Sequence, residues 1–270
     1  MGKNTVLPQS NNGQITFDLT ISQGDIKQEY AKLLVEYQQK AEIKGFRKGK
    51  APLRLVEQSL EKSQIYARVL DQLFPKAYSA KIIQEKLSPL IDPQVKPKAF
   101  EESKDWVFEV TTVVKPEVIL GDYKQYVKKA LEDHTKSHEK DAKLEKNDHT
   151  TSIVFNTLLK EVKVELSPLL VEQETKSRLS HLVKQLQELK ISVADFAKSQ
   201  KKTQEELVAE YRKSAETELK LELILDKLVE VENPTVSSED IAKLKPPKGQ
   251  KTYAKYIIQK QKVLDFLRSL

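Results

Sequence analysis

The apolar positions of this chain change period along its length. From Gln14 to Ile21 they alternate, with Ile15, Phe17, Leu19 and Ile21 on one side and Gln14, Thr16, Asp18 and Thr20 on the other. A period of two predicts a half-buried strand. Ser22 to Asp25 then has the spacing of a capping box. Ile26, Tyr30, Leu33, Leu34, Tyr37 and Ala41 follow at helical spacing, which predicts a long amphipathic helix. Pro52 to Leu60 reads as a short helix and Ser63 to Gln84 as a longer one. Ile65, Val69, Leu73 and Ala77 form the stripe of the longer helix, and Pro75 is expected to kink it. Val95 and the run Trp106 to Val114 predict further strands, with Trp106, Phe108 and Val110 facing the first helix. A strand, helices and strands in this order predict a small α+β domain.

From Ile153 the pattern is helical. Ser167-Pro168 starts a helix carrying Leu170, Glu174, Leu182, Leu186 and Leu189. Ser192 to Asp195 and Thr203 to Glu206 start two more. The helix after Thr203 carries Leu207, Tyr211, Leu219, Leu223 and Leu228, and Asn233-Pro234 ends it. Pro246-Pro247-Lys248-Gly249 interrupts the chain before a last helix with Tyr253, Ile257, Val263 and Phe266 as its stripe. The interruptions disfavour a continuous coiled coil. Between the two blocks, Lys128 to Asp148 carries six lysines and six acids, which predicts a solvated helix or hinge. The expected organisation is an α+β domain over residues 1–120, a charged linker or hinge helix over 121–150, and an all-α domain over 151–270, with the whole predominantly helical.

Composition excludes several chemistries. The chain has no cysteine, hence no disulfide framework and no thiolate nucleophile. No Gly-rich phosphate loop, His-Glu-x-x-His, Gly-x-Ser-x-Gly or EF-hand loop occurs. His134 and His138 are spaced to share a helix face, but no third ligand is specified. The expectation is therefore no catalytic residue, no metal and no cofactor. No apolar run reaches the roughly 20 residues of a membrane span, and Met1 to Thr5 opens no apolar leader. The expected location is the cytoplasm.

Charge adds one feature. From Lys40 to Arg54, six basic residues (Lys40, Lys44, Arg47, Lys48, Lys50 and Arg54) face a single acid, Glu42, in a chain whose formal charge is only +6. Within this stretch, Gly45-Phe46-Arg47-Lys48-Gly49-Lys50-Ala51-Pro52 places cations and a ring between two glycines and stops at a proline. Glycines permit positive-φ turns and Pro52 presets the next helix. The expectation is a tight loop that presents charge to phosphate or to an acidic protein surface. Arg47 would grip bidentately, Lys48 and Lys50 would act as point charges, and Phe46 would stack or fill a pocket. The competing expectation is a solvated basic turn with Phe46 folded into the core.

The stretch Gly45 to Pro52 resembles the ribosome-docking signature of the bacterial trigger factor family. Ile65-Tyr66, Val69-Leu70, Leu73 to Tyr78, Leu90 to Val95 and Pro116-Glu117-Val118 extend the resemblance through that family's N-terminal domain. Val171 to Glu174, Asp195-Phe196, Glu205-Glu206-Leu207, Ala215-Glu216 and Lys262 to Leu267 are similar to its helical C-terminal domain. The resemblance implies an ATP-independent chaperone that docks near the ribosomal exit tunnel, on rRNA and ribosomal protein, and shields nascent or unfolded polypeptides. Gly45, Phe46, Arg47, Lys48, Gly49 and Lys50 would carry the docking. The family usually holds an FKBP-like prolyl isomerase domain between the two blocks. Only thirty residues, Gly121 to Thr150, separate them here, and a compact domain needs at least about fifty. The expectation is a chaperone that is not an enzyme. A prolyl isomerase, or a general RNA-binding protein, stands as the alternative.

Overall fold

The computed structural model describes residues 10–137, 146–244, 246–247 and 249–270, with the side chains of 135–137 and 146–148 excepted. Contacts divide the chain into two units, residues 14–114 and residues 115–270, the second also taking in Asn11–Gly13.

The first unit starts with β1 (Gln14–Ile21), where the predicted alternation appears as strictly alternating burial. Ser22 accepts from the Asp25 amide and caps α1 (Gln23–Lys40). Two further helices follow, α2 (Leu53–Gln58) and α3 (Lys62–Gln84). Then come β2 (Gln94–Ala99) and β3 (Trp106–Val113), and the sheet order is β1-β3-β2, antiparallel throughout. The register matches apolar to apolar: Phe17 opposes Val110, Leu19 opposes Phe108 and Ile21 opposes Trp106. Opposed side chains on one face are what stabilise a sheet. The other face is polar, with Lys98 bridging Asp18 at 2.6 Å and Glu109 at 3.1 Å.

The covered face of the sheet joins Ile26, Leu33 and Leu34 of α1 and Ile65 and Val69 of α3 in one core. Each such side chain contributes roughly 1.5–3 kcal/mol by leaving water. The rings that meet β3 come from α3 and from Phe100, just past β2, which lies 4.3 Å from Trp106 and 6.0 Å from Phe108. Tyr66 lies edge-on to Trp106 at 5.8 Å and Phe74 edge-on to Phe108 at 5.7 Å. Tyr30 of α1 reaches this cluster through Tyr66, at 5.0 Å. α3 runs as one helix through Pro75.

The second unit opens with β4 (Val118–Ile119), followed by α4 (Tyr123–Ser137), α5 (Lys146–Glu161) and β5 (Lys163–Val164), which pairs with β4. Next are α6 (Pro168–Glu188), α7 (Val193–Ser199) and α8 (Gln204–Glu232). The last two helices are α9 (Ser238–Lys243) and α10 (Lys251–Arg268). Thr203 and Glu206 form the full reciprocal capping box at the head of α8. At Ser192 only half of it forms: the serine caps the Asp195 amide, and its own hydroxyl donates to the Asp195 carboxylate at 2.6 Å.

Two cores hold this unit. Val127 of α4, Val154 and Leu158 of α5, Ile224 and Leu228 of α8 and Leu267 of α10 are all within 1% of full burial. A smaller core joins Leu182, Leu186, Ala197 and Leu207 of α6, α7 and α8.

The first unit ends at Val114. Residues 121–150, expected as a charged linker or hinge helix, supply α4, whose Tyr123 and Val127 are buried and whose Leu131 packs beside them. One i, i+4 stripe suffices to seat a helix, and the surrounding lysines and acids conceal it in a charge count. In α10 the buried stripe runs through Ala254, Val263 and Leu267, while Tyr253 is 62% exposed. His138 lies outside the described residues, and the His134 ring instead stands 5.3 Å from that of His149 on α5.

Candidate functional site

The basic loop is built from two consecutive turns. α1 ends at Lys40, and the Ala41 amide donates to the Tyr37 carbonyl at 2.8 Å. The Phe46 amide then donates to Ile43 at 3.0 Å, and the Lys50 amide to Arg47 at 2.9 Å. Gly45 and Gly49 hold the third position of these turns with φ of +90° and +76°. That is the geometry of a type II turn, where residues with a Cβ are strained. At Gly49 the backbone turn is the constraint, since a Cβ there would meet the Gln39 carbonyl at 3.5 Å, an ordinary contact. The glycines thus fold the loop back onto the last turn of α1.

The base of the loop is fixed. The Gln38 side-chain amide donates to the Ala51 carbonyl at 2.6 Å. Ala51 and Val56 are buried at 2% and 0% exposure. Tyr30 donates to Glu57 at 2.9 Å and ties α1 to α2. Burial, followed by that carboxylate, pushes the Tyr30 hydroxyl well above the usual phenol range.

Every functional side chain expected from sequence lies on this one loop, and the tip is exposed from Lys44 to Lys48. Phe46 is 43% exposed, so it is not folded into the core. Among the described residues, Lys48 pairs with Glu42 at 3.1 Å. Lys44, Arg47, Lys50 and Arg54 form no ion pair there. Leu53 and Leu55, at 39% and 37% exposure, add exposed apolar side chains at the start of α2. Sequence reasoning missed these two leucines. Their signal was an apolar pair straddling Arg54 just after the helix-starting proline.

The second unit carries a different surface. Leu189 is 67%, Val231 54%, Leu244 50% and Tyr253 62% exposed. Leu189 and Leu244 are the C-caps of α6 and α9, and Val231 and Tyr253 lie on α8 and α10; Ile191 and Ile257 are exposed beside Leu189 and one turn from Tyr253. An open cavity of about 410 Å³ lies between α6 and α8, lined by Arg178, His181, Leu182, Glu210, Tyr211 and Ser214. Arg178 is already held there by Glu174 at 2.7 Å and Glu218 at 2.8 Å, and its guanidinium depresses the Glu218 carboxyl below its ordinary range. No group of three or more metal-ligating side chains occurs among the described residues. No helix among them is long and apolar enough to cross a membrane.

An α+β unit displaying an exposed, cation-bearing loop, joined to a helical unit with exposed apolar side chains, defines a class of two-part protein, one part mixed and the other helical. Family models describing bacterial trigger factor protein match residues 4–147, and those describing its C-terminus match residues 121–269. The chain belongs to the bacterial trigger factor family. The two matches overlap, which leaves no room between them for a separate folded domain. Trigger factor of Listeria monocytogenes serotype 4a (strain HCC23) is 36% identical over 116 residues, covering 43% of this chain and 27% of that protein. Trigger factor of Streptococcus pneumoniae (strain JJA) is 35% identical over a stretch of the same length and coverage. The chain thus matches little more than a quarter of the length of these relatives. A solved chain described under "Promiscuous Substrate Recognition in Folding and Assembly Activities of the Trigger Factor Chaperone" has a TM-score of 0.65 at 13% identity, over 97% of this chain and 98% of that one. That likeness concerns the fold.

Proposed function

We propose that this protein is an ATP-independent chaperone that docks beside the ribosomal exit tunnel and shields nascent or unfolded polypeptides. The observation that carries the reading is the loop. Its cations and Phe46 project from a base pinned by Gln38 and Ala51, in the part of the chain that matches the trigger factor N-terminal model. Gly45 and Gly49 shape the loop, Arg47, Lys48 and Lys50 meet rRNA phosphate or ribosomal-protein carboxylates, and Phe46 supplies apolar contact. Positive charge concentrated at one loop speeds encounter with an anionic partner.

Clients are held by the dispersed apolar side chains of the helical unit, whose contacts are individually weak. Exposed apolar side chains set among charges suit short-lived, promiscuous holding, which protects aggregation-prone segments during synthesis. Residues 1–120 act as the ribosome-binding part and 151–270 as the main client-binding part, in the cytoplasm. No metal, cofactor or catalytic residue takes part, and prolyl isomerisation is not among its activities.

Co-sedimentation with ribosomes tests the docking. The Phe46→Ala, Arg47→Ala, Lys48→Ala triple variant is expected to stay in the supernatant while retaining its helical circular dichroism. Pelleting at wild-type levels would remove the loop from the account. A proline-limited refolding reaction, whose uncatalysed phase lasts tens to hundreds of seconds, should proceed at the same rate with and without the protein.

A further inference from the structure

The one acid of the loop is badly placed for local stability. Glu42 follows directly on Ala41, the C-cap of α1. A helix C-terminus carries partial negative charge and favours cations there, as Lys40 and Lys44 on either side illustrate. Glu42 therefore does not serve the helix. Its carboxylate instead accepts from the Lys48 ammonium at 3.1 Å. This pair spans both turns of the loop, from the residue before the first to the second residue of the other. Both side chains are largely exposed, so either is free to exchange partners.

We infer that Glu42 sets the strength of docking by occupying Lys48 in the free protein. The inference rests on the docking reading of the loop. An anionic partner has to displace Glu42 before Lys48 contributes, and Glu42 also subtracts one charge from the field that guides encounter. Docking is thereby weakened and release made easier, which suits a chaperone that must leave as well as arrive. The same contact argued as a brace, holding the two turns together for binding, predicts the opposite sign.

The full chain titrated against ribosomes over a range of salt concentrations decides between them. Glu42→Gln keeps the shape and removes the charge. It is expected to tighten binding about two- to five-fold at low salt, the range of an exposed ion pair, with the gain fading as salt screens it. In a Lys48→Ala background the gain is expected to fall to less than half. Weaker or unchanged binding by Glu42→Gln overturns the inference, and weaker binding identifies the pair as a brace. An equal gain in both backgrounds also overturns it, because Glu42 would then act only as a charge in the field. If the Phe46→Ala, Arg47→Ala, Lys48→Ala variant binds ribosomes as well as wild type, the docking reading fails and this inference fails with it.

Discussion

The cations of the loop and those around the C-terminal end of α8 are the same residue types in opposite surroundings. At α8 each has an acid. Lys115 reaches Glu230 at 2.6 Å and Asp226 at 3.6 Å. Lys124 reaches Glu232 at 2.9 Å, and, between α10 and α9, Lys262 joins Asp240 at 2.7 Å. Lys260, only 14% exposed, lies against Glu222 and Asp226 and over the Tyr256 ring. In the loop, one lysine is paired and the remaining cations have no ion pair among the described residues. Charges matched inside the protein hold helices together. Charges left unmatched on a rigid loop are available to a partner, and they cost the fold little because water solvates them.

Breaking the α8 seam should have the largest effect on stability. Lys260→Ala leaves Glu222 with the Tyr256 hydroxyl alone and Asp226 with that hydroxyl and Lys115 at 3.6 Å, and removes a largely buried stem from over the Tyr256 ring. It is expected to destabilise the helical unit by about 2 kcal/mol, since removing one partner of a shielded pair costs far more than an exposed pair is worth. Urea unfolding followed by circular dichroism measures it, and a change below about 0.5 kcal/mol would place Lys260 with the solvated surface pairs.

The loop should fail through geometry as well as charge. Gly45→Ala leaves every cation in place but forces an alanine to φ +90°, which costs about 1–2 kcal/mol. Ribosome binding is expected to weaken severalfold with the loop charge unchanged. Binding at full strength would mean that charge alone suffices.

Acid should separate the two regions further. Lys262 first, then the Ser237 backbone, hold the Asp240 carboxyl down at about 2. Lys115 lowers Glu230, and Lys124 followed by the Tyr123 hydroxyl lowers Glu232. Carboxyls depressed in the folded state stabilise it above their unfolded pKa and lose that contribution as pH falls through the folded value. The helical unit is therefore expected to lose melting temperature between about pH 4.5 and pH 2, and Lys262→Met should flatten the lower part of that fall. A profile unaltered by Lys262→Met would count against the α9–α10 tie.

A smaller effect is expected at the end of α6. Lys190 sits at φ +57°, with Ile191 donating to Leu186 and Lys190 to Gln187, the Schellman arrangement that favours glycine. Lys190→Gly should stabilise by about 0.5–1 kcal/mol without touching either charge pattern.

Much of this was legible in the sequence because short-range rules decide it. The period of two in β1, the Ser22 and Thr203 caps and the glycine-flanked loop each follow from neighbours a few residues apart. The loop residues emerged together for the same reason: they are contiguous. What escaped depends on distant partners. Tyr123 and Val127 carry no local mark of burial, which depends on the core that α5 and α8 supply. The exposure of Tyr253 and the burial of Ala254 depend on the angle at which α10 meets α8, which no local rule sets. α9 had a local signal, the Ser237-Asp240 capping box, hidden by the helix-breaking Asn233-Pro234 just before it. The pairing of Lys48 with Glu42 needed the two turns in three dimensions.

The central claim is that unmatched loop cations serve docking and matched seam cations serve stability. Ribosome affinity and melting temperature measured on one pair of variants test it together. The loop variant Arg47→Ala, Lys48→Ala, Lys50→Ala should lose ribosome binding and melt within about 1–2 °C of wild type, as exposed substitutions do. The seam variant Lys260→Ala should bind ribosomes as wild type does and melt about 4–8 °C lower, the shift that about 2 kcal/mol produces in a unit of this size. A loop variant that binds normally, or a seam variant that loses ribosome binding while still folded, would contradict the account.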